Sequence, residues 1–382
     1  MAVTSIRERA PEQARVDVRV VDSDIHPVPR KGEWIEYLPE PHRSTFWTRR
    51  RVGDTINYDA PDYAHAMAMR LDTFPEDGGF PGSDPELAFR QVIMQAGSDI
   101  GILEPGGRSQ IVPEHTQAGR IATNHWQANH WLDSKSNWHE RWRGSICVAI
   151  EDTAGAVKEI EYWAGHPFMS QVLIHAEPRP AWGDPQYDPI WEAATRHNLP
   201  VACHLGRGYF ETMPMPAVGF PSYNHDFMVS YSLLAVNQVM SLIFDGTFER
   251  FPTLQIILVE HAYSWILPLM WRMDAIYEQR KHDLPDIHRK PSEYVYDNLW
   301  FTTQPLDYPD DRRELSKTLE WMQADRLLLF SSDYPHWTFD DPKWLIRQIP
   351  EQLRDRIMYQ NGINVYHLPT TVPALEGQTR VH

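Results

Sequence analysis

Several short apolar runs in this chain end in side chains that bind metals or move protons. The first spans residues 20–26 and closes on Asp24-Ile25-His26. Pro27 and Pro29 follow and stop the pairing, because proline has no N–H to give to a sheet. Side chains alternate along a strand, so Asp24 and His26 share a side, roughly 7 Å apart along the backbone. Later runs end in His175 and Glu177, in His204, in Glu260 and His261, and in Asp333. One such residue alone reads as a packed polar group. Their recurrence at the same end of run after run points to a site. Asp24, His26, His204 and Asp333 offer two imidazoles and two carboxylates, a set suited to one divalent ion with positions left open for water or substrate.

The elements that must position these groups follow from the hydrophobic pattern. Apolar stretches at 20–26, 100–103, 145–150, 172–176, 201–204, 254–259, 299–302 and 327–330 read as strands. Helical patterns at 117–131, 154–163, 189–197, 226–244, 264–280, 312–322 and 350–361 separate most of them. This alternation predicts an α/β protein of the (β/α)8 TIM-barrel type, in which functional residues gather at the carboxyl ends of the strands. A doubly wound sheet would call for a glycine-rich phosphate fingerprint after the first strand, and there is none. The chain is expected to form a single domain over 1–382. Residues 27–95, rich in proline, arginine and aromatics such as Trp34, Trp47, Tyr58 and Phe80, read as an ordered insertion or cap after strand one. Residues 369–382 read as a loose tail.

Composition narrows the function. With 382 residues, 42% of them hydrophobic, the chain can bury a large core. A net charge of −16 argues against nucleic acid or an anionic membrane as partner. No apolar stretch reaches signal-peptide or membrane-span length, so the expectation is a cytoplasmic protein acting on a small molecule, as a homo- or hetero-oligomer. Cys147 and Cys203 are the only cysteines, which leaves no disulfide framework or cysteine metal cage.

Three further stretches resemble a known family. They are Gly246-Thr247-Phe248-Glu249-Arg250-Phe251-Pro252 with Val259-Glu260-His261-Ala262-Tyr263-Ser264-Trp265 and Arg272-Met273-Asp274; Phe330-Ser331-Ser332-Asp333-Tyr334-Pro335-His336-Trp337; and Ile357-Met358-Tyr359-Gln360-Asn361. Together they resemble the amidohydrolase-related (amidohydrolase 2) family that includes aminocarboxymuconate-semialdehyde decarboxylase, over about residues 20–368. The resemblance implies that Asp24 and His26 are the first-strand ligands, His204 the fifth-strand ligand and Asp333 the last-strand carboxylate. The ion would be zinc, with manganese and iron as alternatives. His261 would be the acid or base beside the substrate. Family members carry His or Glu where this chain has Asp24. Dinuclear amidohydrolases use a modified lysine after the fourth strand; here that strand ends His175-Ala176-Glu177, which argues against a carbamate bridge.

Two chemistries suit such a site. In a non-oxidative decarboxylase the ion would hold the substrate carboxylate and a neighbouring oxygen, while His261 or Asp333 moves a proton to the carbon that loses CO2. In a hydrolase the ion would acidify a water, Asp333 would take its proton and His261 would steady the oxyanion. The substrate is expected to be a small carboxylated aromatic or conjugated compound. Arg207 is the candidate anion clamp, His175 a further substrate contact, and Trp337 a flat wall, with Trp182, Tyr209 and Phe210 as further walls. His336 would stand behind Asp333. Two other readings remain open. His175 and Glu177, with Glu104 or His261, could hold a second ion in a dinuclear oxygenase, or the chain could be a non-catalytic metal-binding subunit of a larger assembly.

Overall fold

The computed structural model describes residues 14–30, 32–45, 69–106, 113–175, 180–204 and 224–381. A short strand β1 (Arg15–Asp17) leads into β2 (Val21–Ile25), the first of eight parallel strands. The others are β3 (Ile100–Leu103), β4 (Trp142–Cys147), β5 (Met169–His175), β6 (Val201–His204), β7 (Ile256–Val259), β8 (Leu299–Thr302) and β9 (Leu328–Leu329), hydrogen-bonded in sequence order. Apart from half-buried Trp300 their residues are all buried, because both faces are covered. Val21, Ile100, Ile102, Cys147, Leu173, Ala202, Ile257, Val259 and Leu329 pack together as one cluster. Their neighbours Ile146, Val172, Ile174, Val201, Cys203, Ile256 and Leu258 belong to the larger cluster shared with the helices. The first and last strands meet where Ser23 N donates to Phe330 O (2.9 Å) and His26 N to Tyr334 O (2.8 Å). The result is the expected (β/α)8 barrel.

The surrounding helices are α1 (Pro113–His130), α2 (Thr153–Trp163), α3 (Asp188–Arg196), α4 (Asn224–Phe244), α5 (Ile266–Arg280), α6 (Pro291–Asn298) and α7 (Arg312–Met322). Helix α1 is fastened to the strand it covers by amide side chains. Asn124 bonds both the N–H (2.8 Å) and the carbonyl (2.9 Å) of Cys147, and Gln117 Oε1 accepts from Ala149 N (3.1 Å). These bonds supply partners for backbone groups at the end of β4 that the sheet leaves over. Among the described residues no helix is long and apolar enough to cross a membrane.

The described part of the segment expected to form an insertion packs over the end of the barrel that carries the site. Arg70 N donates to Pro335 O (3.0 Å), Val28 N to Gly82 O (2.9 Å), and Met69 forms a bridge with His336. Gly82 has φ +81°, and a Cβ there would run into the carbonyl of His26, so only glycine lets the two backbones approach. The tail, expected to be loose, is docked. Strand β10 (Thr371–Pro373) pairs antiparallel with β1. Arg380 then reaches Asp99, a buried carboxylate that also takes the backbone N–H of Arg19 (2.7 Å) and faces Arg141 (3.4 Å). Charge satisfaction at Asp99 joins the burial of Val372 and Val381 in docking the tail.

Candidate metal centre

His26 follows the end of β2, and its ring is oriented from behind. Nδ1 lies 3.0 Å from the carbonyl of Glu104, so it carries the proton and Nε2 turns inward. Nε2 then stands 3.1 Å from Asp333 Oδ1 and equally 3.1 Å from Asp24 Oδ1. His204, at the end of β6, brings its Nε2 to 3.8 Å from the same Asp24 oxygen. Ligand atoms of Asp24, His26 and His204 lie within 4.8 Å of one another, as do those of His26, Asp333 and His336. The four residues expected as ligands therefore converge from three separate parts of the chain.

Whether they suit an ion can be judged from Asp24. It is fully buried, and neither carboxylate oxygen accepts a hydrogen bond. His26 Nε2 makes its hydrogen bond to Asp333 instead. A buried carboxylate is costly by several kcal/mol unless a cation meets it, and in the ion-free protein only the imidazoles of His26 (3.1 Å) and His204 (3.8 Å), among the described residues, stand close enough to do so. Two imidazole nitrogens near that carboxylate, with the Asp333 carboxylate on the other side of His26, are donors of the kind that suit a divalent ion.

Asp333 is held from both sides. His26 and His336 Nδ1 face Oδ1, while Gln304 Nε2 (3.1 Å) and Thr338 Oγ1 (2.7 Å) donate to Oδ2. Burial would raise its carboxyl, but the neighbouring charges of His336 and His26 and their hydrogen bonds hold it below the usual carboxylate range. For His26, burial opposes the charge, yet the carboxylates of Asp24 and Asp333 raise it well above its ordinary value. Burial and the charge of Asp24 push Glu104 well up, so it is a neutral acid whose Oε1 accepts from Gln171 (2.8 Å). His175 is pushed well down, chiefly by burial and next by the charge of Arg120, and so stays neutral. Its ring centroid lies 6.4 Å from that of His204, and its buried Nδ1 has no hydrogen-bond partner.

His261, expected beside the substrate, is fully buried, with Nε2 3.9 Å from the thiol of Cys203. Its neighbour Glu260 reaches the ligand cluster. Its Oε2 is 3.4 Å from His204 Nε2, and its N–H donates to Thr302 Oγ1 (3.0 Å). The backbone is the cause: Glu260 (φ 62°) and Ala262 (φ 54°) both adopt left-handed conformations, which breaks the alternation that would have sent His261 inward. His336 was expected to stand behind Asp333 and does touch it, but it also belongs to a cluster of candidate ligands. Trp337 is 58% exposed, and Trp182 is wholly buried in the core. Arg207, Glu177, Tyr209 and Phe210 lie outside the described residues. Sequence reasoning also passed over Arg120, which is taken up below.

Comparisons with known proteins bear on this geometry. The structure is similar to that of 5-carboxyvanillate decarboxylase from Sphingomonas paucimobilis (20% identity, TM-score 0.65, covering 92% of this chain and 100% of that one). It is similar to an amidohydrolase from Mycobacterium avium subsp. paratuberculosis (20%, TM-score 0.71, 92% and 100%). A dihydroxybenzoic acid decarboxylase from Polaromonas sp., solved with bound manganese and the inhibitor 2-nitroresorcinol, is also similar (17%, TM-score 0.58, 91% and 97%). At these identities the likeness establishes the fold. The family model described as Amidohydrolase matches residues 21–368, nearly the whole chain, and the protein therefore belongs to the amidohydrolase family of enzymes.

Proposed function

We propose that this enzyme removes a carboxylate, without oxidation, from a small aromatic acid, using one divalent ion held by Asp24, His26, His204 and Asp333. The observation that supports the reading is that two clusters of candidate ligands, Asp24 with His26 and His204, and Asp333 with His26 and His336, meet at His26 beside the buried carboxylate of Asp24. Two solved neighbours named as aromatic-acid decarboxylases, one of them holding manganese, support decarboxylation over hydrolysis and manganese over the zinc first expected. A ligand set with as many carboxylates as imidazoles is also compatible with manganese. When bound, the ion supplies a Lewis acid that holds the substrate's carboxylate and an adjacent oxygen.

The rest falls to the chain's own residues. Asp333, kept ionised, engages His336 through Nδ1 and so directs Nε2 of that ring to the substrate. The bond between ring carbon and carboxylate breaks, its electron pair stays on the carbon, CO2 departs, and the carbon takes the proton from His336 Nε2. Burial of His175 and neutral Glu104 keeps water and stray charge from that carbon.

The test is to incubate the manganese-loaded enzyme in D2O with a panel of hydroxylated benzoic acids. We expect CO2 release with one deuterium at the vacated ring position. His336→Ala should lower the rate by about 10²–10⁴ while keeping its metal. Hydrolysis of an amide or ester in the same panel, with no CO2, would contradict the proposal.

A further inference from the structure

Arg120 sits on α1 between two residues whose positions are fixed. Gln117 and Asn124, three and four residues away, share its helix face and hydrogen-bond the backbone at the end of β4, to Ala149 and Cys147 respectively. Arg120 therefore faces the same strand end, beside the mouth of the barrel. It is only 3% exposed. Its Nε is buried with no acceptor, and among the described residues no carboxylate pairs with it. A guanidinium removed from water without a counter-charge is among the costliest arrangements a protein can hold, and it persists where a ligand supplies the charge.

Its surroundings point the same way. The positive charge of Arg120 is felt at His175, alongside those of His204 and His26, and at Cys147. It thus lies on the side of the mouth that His175 lines. Glu159 on α2, the carboxylate that its helix neighbour Asn124 reaches, is occupied by Asn124 (2.9 Å) and Trp163 (3.1 Å). Glu104, just past the adjoining strand β3, is buried and has its Oε1 bonded to Gln171 (2.8 Å). His175 Nδ1 and Glu104 Oε2 are likewise buried without partners. Three buried side chains with unmatched polar atoms, one of them a guanidinium, thus gather beside the ion ligands.

We infer that Arg120 binds a second anionic group of the substrate, so that the enzyme takes aromatic acids carrying two carboxylates: one at the ion and one against the guanidinium beside His175. This rests on the decarboxylase reading for the first carboxylate and adds a specificity-determining residue for the second. Arginine suits the task, since its planar fork meets a carboxylate through two parallel hydrogen bonds.

Calorimetric titration tests it. Salicylate, 2-hydroxyisophthalate and 4-hydroxyisophthalate are titrated into manganese-loaded wild type, Arg120→Gln and Arg120→Lys, and salicylate and isophthalate into the same proteins stripped with EDTA. One of the two hydroxyisophthalates should bind wild type about tenfold or more tighter than salicylate. Arg120→Gln should lose that margin while keeping its affinity for salicylate, and Arg120→Lys should keep part of it. Thermal melting confirms that the variants are folded; should Arg120→Gln not fold, the wild-type margin and Arg120→Lys decide. Equal affinities in wild type, or an undiminished margin in a folded variant, would overturn the inference. Salicylate binding that ignores manganese would instead count against the decarboxylase reading, while isophthalate binding to stripped protein that Arg120→Gln abolishes would still uphold the anion site.

Discussion

Asp24, His26 and Asp333 form a site whose charge depends on whether an ion is present. In the ion-free protein, His26 sits between two carboxylates and its pKa is raised above the ordinary value of 6.5. It is therefore protonated near neutrality, and that charge stabilises the fold; the contribution is complete below the ordinary value and is lost as pH rises through the raised one. A metal ligand must be deprotonated, so the ion has to displace this proton. Manganese affinity should rise with pH by about tenfold per unit until the raised value is passed. At pH 7 binding should release about one proton, measured as a calorimetric enthalpy that changes with the buffer's ionisation heat. An enthalpy independent of buffer would show that His26 is not the displaced acid. At this scale much was legible in the sequence, because Asp24, His26, His204 and Asp333 lie at strand ends where their types are unusual. Glu260 and His336 were harder to place, since their roles depend on turns that the residue types do not announce. Arg120 was invisible, because an arginine in a helix reads as a surface charge until its burial is known.

The elements explain why some expectations shifted. Helix α7 spans the residues that its pattern indicates, because Asp311 caps it and its apolar stripe is regular. Strand β4 begins at Trp142, earlier than the apolar run at 145–150 implied, where it pairs with β3 and Asn137 bonds both backbone groups of Trp142. At the end of β7 two left-handed residues exchange the faces of Glu260 and His261, and periodicity cannot foresee such a break. The loop carrying Gly82 is another element whose backbone decides the site. Replacing Gly82 with alanine would strain a positive φ and push against the His26 carbonyl. We expect a loss of about 2 kcal/mol or more in a denaturant melt, with reduced manganese retention. Unchanged stability and metal content would mean that the loop does not hold His26.

Across the whole molecule, the barrel brings together residues more than three hundred positions apart, and the docked tail fastens its other end through Asp99, Arg141 and Arg380. The barrel itself was readable from strand and helix alternation. Its pairing with the tail was not, because a three-residue strand, two separated valines and a buried ion pair give too short a pattern to read. The account depends on one ion held by four residues, and the most direct measurement is metal stoichiometry by mass spectrometry after manganese loading and dialysis. Wild type should retain one ion per chain, and His204→Ala and Asp333→Ala, each verified as folded, should retain much less. Full retention in either variant, or no retained ion in wild type, would contradict the assignment, and two ions in wild type would favour a dinuclear centre instead.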